Sequence, residues 1–127
     1  MPLVTLHDIF KDTISKRYGV GMFNAANLEF AEAIVEAAEE LNAPVMIGLP
    51  ERFFSYFDME TMARLCIDLA NRSSVPVVVH LDHGKNFEII QKASELCDLS
   101  LEKLSYQNQE LENNATMEEK GIGNEAE

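Results

Sequence analysis

The chain has 127 residues, 46% of them hydrophobic and 25% charged, enough for one ordinary globular domain with a single core. A net charge of −12 excludes a phosphate-backbone partner that would need clustered Lys and Arg, so no nucleic acid is expected. No apolar run approaches the ~20 residues that cross a bilayer. The opening Met1-Pro2-Leu3-Val4-Thr5 lacks the basic and apolar regions of a secretory signal, so a cytoplasmic protein without membrane contact is expected.

In chain order, residues 5–18 read as a helix with Leu6, Ile9, Phe10 and Ile14 on one face and Thr5 as N-cap. Gly19 ends it, and Val20-Gly21-Met22-Phe23-Asn24 follows as a short strand. Asn27 then caps an amphipathic helix over 28–41, whose inward face reads as Phe30, Ile34, Ala37, Ala38 and Leu41. Pro44 opens a second strand, Val45-Met46-Ile47-Gly48-Leu49, which Pro50 closes before an aromatic loop of Phe53, Phe54, Tyr56 and Phe57. Asp58 caps a helix to about Arg72 with a stripe of Met59, Met62, Cys66 and Leu69. The third strand is 77–81, and a last helix runs from 86 to 97 with Phe87, Ile90 and Ala93 inward.

Strands alternating with amphipathic helices every thirty or so residues imply βαβ crossovers and a parallel sheet. No Gly-x-Gly-x-x-Gly follows the first strand and no Walker-type loop occurs, which counts against the dinucleotide-binding open sheet. Cys66 and Cys97 have no metal-type spacing and read as reduced, buried, small apolar residues. After Cys97 the rhythm stops. Residues 98–127 carry eight acidic and two basic side chains, half of the net charge, and no apolar run able to form a fourth strand. A solvated acidic tail, disordered or weakly helical, is expected there.

His80-Leu81-Asp82-His83-Gly84 is the segment richest in chemistry. It follows the β-branched run Val75-Pro76-Val77-Val78-Val79, and titratable groups at the end of a buried strand are costly without work or partners. In α/β folds the carboxyl ends of parallel strands are where catalytic residues and metals gather. A carboxylate beside an imidazole suits proton transfer next to a metal. A lesser reading is a plain α/β domain in which His80, Asp82 and His83 merely hydrogen-bond at a strand end.

Several segments together resemble the N-terminal portion of the class II, zinc-dependent fructose- and tagatose-bisphosphate aldolases, over residues 1–97. They are the opening Met1-Pro2-Leu3-Val4-Thr5, the run from Val20 to Glu29, Ala43-Pro44-Val45-Met46-Ile47, and above all Val75-Pro76-Val77 through His80-Leu81-Asp82-His83-Gly84 to Phe87-Glu88. The resemblance implies an α/β fold: a partial TIM (β/α)8 barrel made of an N-terminal helix plus three βα units, followed by the polar acidic tail. It makes residues 1–97 one barrel-like segment and 98–127 the tail. It also implies Asp82 as catalytic acid/base, His83 as a zinc ligand and Asn24 near the substrate. A zinc ion holding the ketose oxygens would stabilise the enediolate as a Lewis acid, while the carboxylate takes the proton from the C4 hydroxyl. The implied partners are phosphorylated ketoses or triose phosphates, and the chain is expected as a homo-oligomer or in association with a longer aldolase subunit.

The sequence also departs from that pattern. The family's two further zinc histidines come from later strands, whereas this chain has only His7, a surface or capping residue, and His80, a core residue one layer below Asp82. Pro50 stands where relatives often carry a serine. A (β/α)8 barrel needs about 250 residues, so three units imply a truncated or frameshifted aldolase that is weak or inactive alone. The alternative is a non-catalytic remnant or regulatory subunit bound to a full-length aldolase.

Overall fold

A computed structural model describes residues 3–98. The acidic tail expected over 98–127 lies outside the described residues from 99 onward, as does the Cys97 side chain. Two short helices, α1 (Leu6–Phe10) and α2 (Thr13–Lys16), lead into β1 (Gly21–Asn24), α3 (Leu28–Glu40), β2 (Val45–Pro50), a 3₁₀ turn over Glu51–Phe53, α4 (Met59–Arg72), β3 (Val77–Asp82) and α5 (Phe87–Asp98). The three strands are all parallel, in the order β1-β2-β3, as the spacing of strands and helices predicts. Leu3 adds a single parallel bridge to Val77 on the far side of β3.

The first helix expected over 5–18 is two pieces. Thr5 does cap it, in a reciprocal capping box with Asp8. The break at Lys11-Asp12 has local causes. The Thr13 hydroxyl donates to the Phe10 carbonyl at 2.9 Å and the Ser15 hydroxyl to the Asp12 carbonyl at 3.1 Å, so short polar side chains compete with the helical ladder. Arg17, at φ 54°, ends α2 in the left-handed region.

Residues in register on neighbouring parallel strands share a face. Val45, Ile47 and Leu49 of β2 and Val77 of β3 form the helix side, packed with Ala31, Val35 and Ala38 of α3 and Met62, Cys66 and Ala70 of α4. This is the main core. The opposite side begins with Met22, Met46 and Val78, one from each strand, closed from below by Ile9 of α1 together with Val4, Leu6 and Val20. The N-terminal helix thus plugs the amino-terminal half of that face, and the carboxyl-terminal half continues above it.

The expected inward face of α3 is corrected by about one residue around the helix. Ala31, Val35 and Ala38 are buried with Ile34 beside them, whereas Phe30 is 56% exposed, Leu41 77% exposed, and Ala37 also faces out. Ala31, Val35 and Ala38, at i, i+4 and i+7, form one stripe along the helix that faces the core. Asn27, as expected, sets the helix start: its Oδ1 accepts from the Phe30 N–H at 2.9 Å. On α4 the expected stripe holds: Met59, Met62 and Cys66 are buried, Leu69 packs partly buried against the core, and Ala70 extends the stripe. On α5 Ile90 is buried as expected and Leu96 joins it, whereas Phe87, also expected inward, is exposed. The loop aromatics do cluster, with Phe57 edge-on to both Phe53 and Phe54.

Candidate active site

The strand register builds the site in layers. Above Met22, Met46 and Val78 lie Asn24, Gly48 and His80, in line across the sheet; above these lie Pro50 and Asp82. Asn24, His80 and Asp82 therefore share the face opposite α3 and α4, at the carboxyl ends of the strands. His80 sits one layer below Asp82, as its parity predicts. Gly48 has a specific role in this arrangement. A Cβ there would stand 2.5 Å from Asn24 Oδ1, so the absent side chain is what lets Asn24 lie over β2.

Asp82 is 3% exposed, which is rare for a carboxylate. Its Oδ1 is buried and accepts no hydrogen bond among the described residues. The register neighbour on β2 explains part of this: Pro50 has neither an N–H nor a hydroxyl to offer. A serine there would supply a donor. His83 Nε2 stands 3.6 Å from Asp82 Oδ1, an ion-pair distance rather than a hydrogen bond.

Plain strand alternation would send His83 to the other side of the sheet. It does not, because β3 ends at Asp82 and His83 takes φ 52°, in the left-handed region. A non-glycine residue there costs on the order of 1 kcal/mol and persists only where its surroundings impose it. The turn swings the imidazole back beside Asp82, with its side chain 54% exposed. Gly84 then passes so close to the core that a Cβ would meet Leu81 Cδ2 at 2.8 Å and Ile90 Cγ1 at 3.2 Å.

Beside this pair is an open cavity of about 390 Å³ lined by Glu51, Arg52, His83 and Lys85. Glu51 and Arg52 come from the 3₁₀ turn after β2, Lys85 from the loop after β3. Glu51 Oε2 accepts from the Lys85 N–H at 2.5 Å and the Asn86 N–H at 3.1 Å, tying the two loops together. The Arg52 guanidinium lies 5.2 Å from the Phe53 ring centroid. None of these three contacts is legible in the sequence; the lone Gly48 inside an apolar strand does signal a close approach.

The resemblance implies a zinc ion at this end of the sheet. Catalytic zinc sites use three protein ligands. No group of three or more His, Cys, Asp or Glu side chains comes together among the described residues. His7, the third histidine of the sequence, is on α1 at the amino-terminal end of the sheet, in the helix that supplies the plug. The described residues offer His83 and an adjacent carboxylate, which is less than a zinc site.

A parallel sheet with helices on one face, a helical plug and a carboxylate–imidazole pair at the strand ends defines the first units of a (β/α)8 barrel. The sequence model of the family "Fructose-bisphosphate aldolase class-II" matches residues 4–117, reaching past Cys97, where the resemblance read from the sequence stops. The chain belongs to the class II fructose-bisphosphate aldolase family. It is 44% identical over 91 residues to the fructose-bisphosphate aldolase of Thermus caldophilus, covering 72% of this chain and 30% of that one. With the fructose-bisphosphate aldolase of Staphylococcus aureus strain Mu50 it shares 41% identity over 98 residues, 73% of this chain and 34% of the relative. The crystal structure of the YdjI aldolase from Escherichia coli K12 superposes with a TM-score of 0.71 at 31% identity, covering 74% of this chain and 37% of that one. The chain thus spans about a third of the length of these relatives. The fold is a partial α/β barrel, as expected from the sequence, and no described helix is long and apolar enough to cross a membrane.

Proposed function

We propose that this chain supplies the first three strand–helix units of a class II aldolase site, acting on a ketose bisphosphate. Cleavage breaks the C3–C4 bond. Asp82 takes the proton from the C4 hydroxyl as the aldehyde forms, and the bonding electron pair stays on C3 of the dihydroxyacetone phosphate half as an enediolate. In condensation Asp82 returns that proton. Asn24, on the same face and one layer lower, is placed to hydrogen-bond a substrate oxygen. His83 is proposed as one zinc ligand, with the remaining ligands outside the described residues.

The observation that carries this reading is the Asp82 carboxylate, buried at the carboxyl end of β3 with an oxygen left without a hydrogen bond. A structural carboxylate would have its partners; one held ready for a substrate proton is left without them. The described residues do not complete a barrel, and β1 has no strand partner beyond β2 among them. A longer aldolase subunit completing the barrel is the second reading, favoured by that open edge.

The test is a chimera: residues 1–97 of this chain followed by the remaining barrel of the Thermus caldophilus relative. The chimera is expected to cleave fructose 1,6-bisphosphate, with product followed by coupled reduction of dihydroxyacetone phosphate. A folded, metal-loaded chimera without cleavage would overturn the proposal. If the separate chains must be mixed to give activity, the second reading holds.

A further inference from the structure

We infer that Glu51 is a positioning residue that sets the direction of the His83 imidazole from the neighbouring loop. The inference takes its functional meaning from the aldolase reading above, but its geometry stands apart from it. His83 and Gly84 are the only residues between two fixed points. On one side is Asp82, the last residue of β3, held in register with Pro50 of β2. On the other are Lys85 and Asn86, whose N–H groups both donate to Glu51 Oε2, at 2.5 and 3.1 Å.

Beyond that point the chain is anchored again. Asn86 Oδ1 accepts from the Glu88 N–H at 2.9 Å, and its carbonyl accepts from the Ile90 N–H at 3.1 Å, which starts α5. Gly84 lies close against Leu81 and Ile90, whose side chains would have to shift to admit a methyl group. Two residues must therefore join fixed ends while one of them stays against the core. The left-handed φ of His83 is the outcome. Packing at Gly84 limits where the loop lies, and among the described residues Glu51 accepts the N–H of the peptide that follows it. Glu51 reaches this loop across 34 residues of sequence, from the turn that lines the same cavity as His83. An acceptor taking two backbone N–H groups, one of them short, is suited to imposing a backbone conformation that costs energy locally.

The test is NMR on the isotope-labelled full chain without metal or substrate, comparing Glu51→Ala, Glu51→Gln and Glu39→Ala. Glu39 is the control, because it too is an acidic side chain accepting a distant backbone N–H, that of Ser74 at 2.6 Å. In Glu51→Ala the Lys85 and Asn86 amide protons are expected to shift upfield, and the His83 Cα and Cβ shifts to leave their left-handed values. Glu51→Gln keeps an acceptor oxygen and is expected to retain the His83 signature; Glu39→Ala leaves it unchanged. If Glu51→Ala loses its dispersed spectrum, Glu51→Gln alone decides, by keeping or losing the left-handed shifts. Unchanged His83 shifts in a folded Glu51→Ala, or their loss in a folded Glu51→Gln, would overturn the assignment. An inactive completed barrel would sink the aldolase reading and leave these signals intact, so the two failures are distinguishable.

Discussion

Replacing Asp82 by asparagine should make the chain more stable. The Asp82 carboxylate is 3% exposed and its Oδ1 has no hydrogen bond among the described residues. His83 Nε2, at 3.6 Å and half exposed, is too far for a hydrogen bond and is screened by solvent. A buried acceptor without a partner costs about 1–3 kcal/mol, and more when it is charged. Asn keeps the shape, removes the charge and adds a donor, so about 1–2 kcal/mol of that penalty should be recovered. With a urea slope of about 2 kcal/mol per molar, the unfolding midpoint should rise by roughly 0.5–1 M. The assay is urea unfolding of the full chain at neutral pH, followed by far-UV circular dichroism. A midpoint that falls in Asp82→Asn would mean that native contacts hold the carboxylate, and the argument for a proton-handling group at that position would fail.

Ile47→Ala, at a fully buried position on the helix side of β2, should cost about 2–5 kcal/mol, whereas Leu41→Ser at the C-cap of α3 should stay within about 0.5 kcal/mol; urea midpoints compare them. Gly48→Ala puts a methyl group 2.5 Å from Asn24 Oδ1, the free end of a side chain; stability should change by no more than about 1 kcal/mol, but the Asn24 carboxamide resonances should move. Burial pushes the Cys66 thiol up to about 12, so native protein should resist thiol reagents that label the unfolded chain. The unfolded chain releases that proton first, so stability attributable to Cys66 should fall as pH climbs from about 9 towards 12, a trend that Cys66→Ala should abolish.

The parts legible in the sequence were those with a period or a local rule. β-Branched runs and caps at Thr5, Asn27 and Asp58 place the elements, and parity along β3 puts His80 below Asp82. The orientation of α3 is harder to read, because Phe30 and Leu41 are as apolar as core residues while the buried stripe is Ala31, Val35 and Ala38, one residue further round the helix. The break at Lys11-Asp12 depends on hydroxyls choosing backbone carbonyls, a contest that apolar periodicity does not register. At the site, adjacency in sequence put Asp82 and His83 together, but strand alternation alone would have separated them. Their meeting depends on a left-handed His83, and that depends on contacts from Glu51, 34 residues away from Lys85. No local pattern encodes such a contact. The cavity lined by Arg52 and Lys85 is hidden for the same reason.

The central claim, that Asp82 moves the C4 hydroxyl proton, is tested most directly in the chimeric barrel by comparing two rates with and without Asp82→Asn. One is cleavage of fructose 1,6-bisphosphate; the other is exchange of solvent deuterium into the C3 position of dihydroxyacetone phosphate, which needs no proton at the C4 oxygen. The account predicts a fall of about 10²–10⁴-fold in cleavage with exchange retained. Cleavage that survives the substitution, or exchange lost in equal measure, would contradict it.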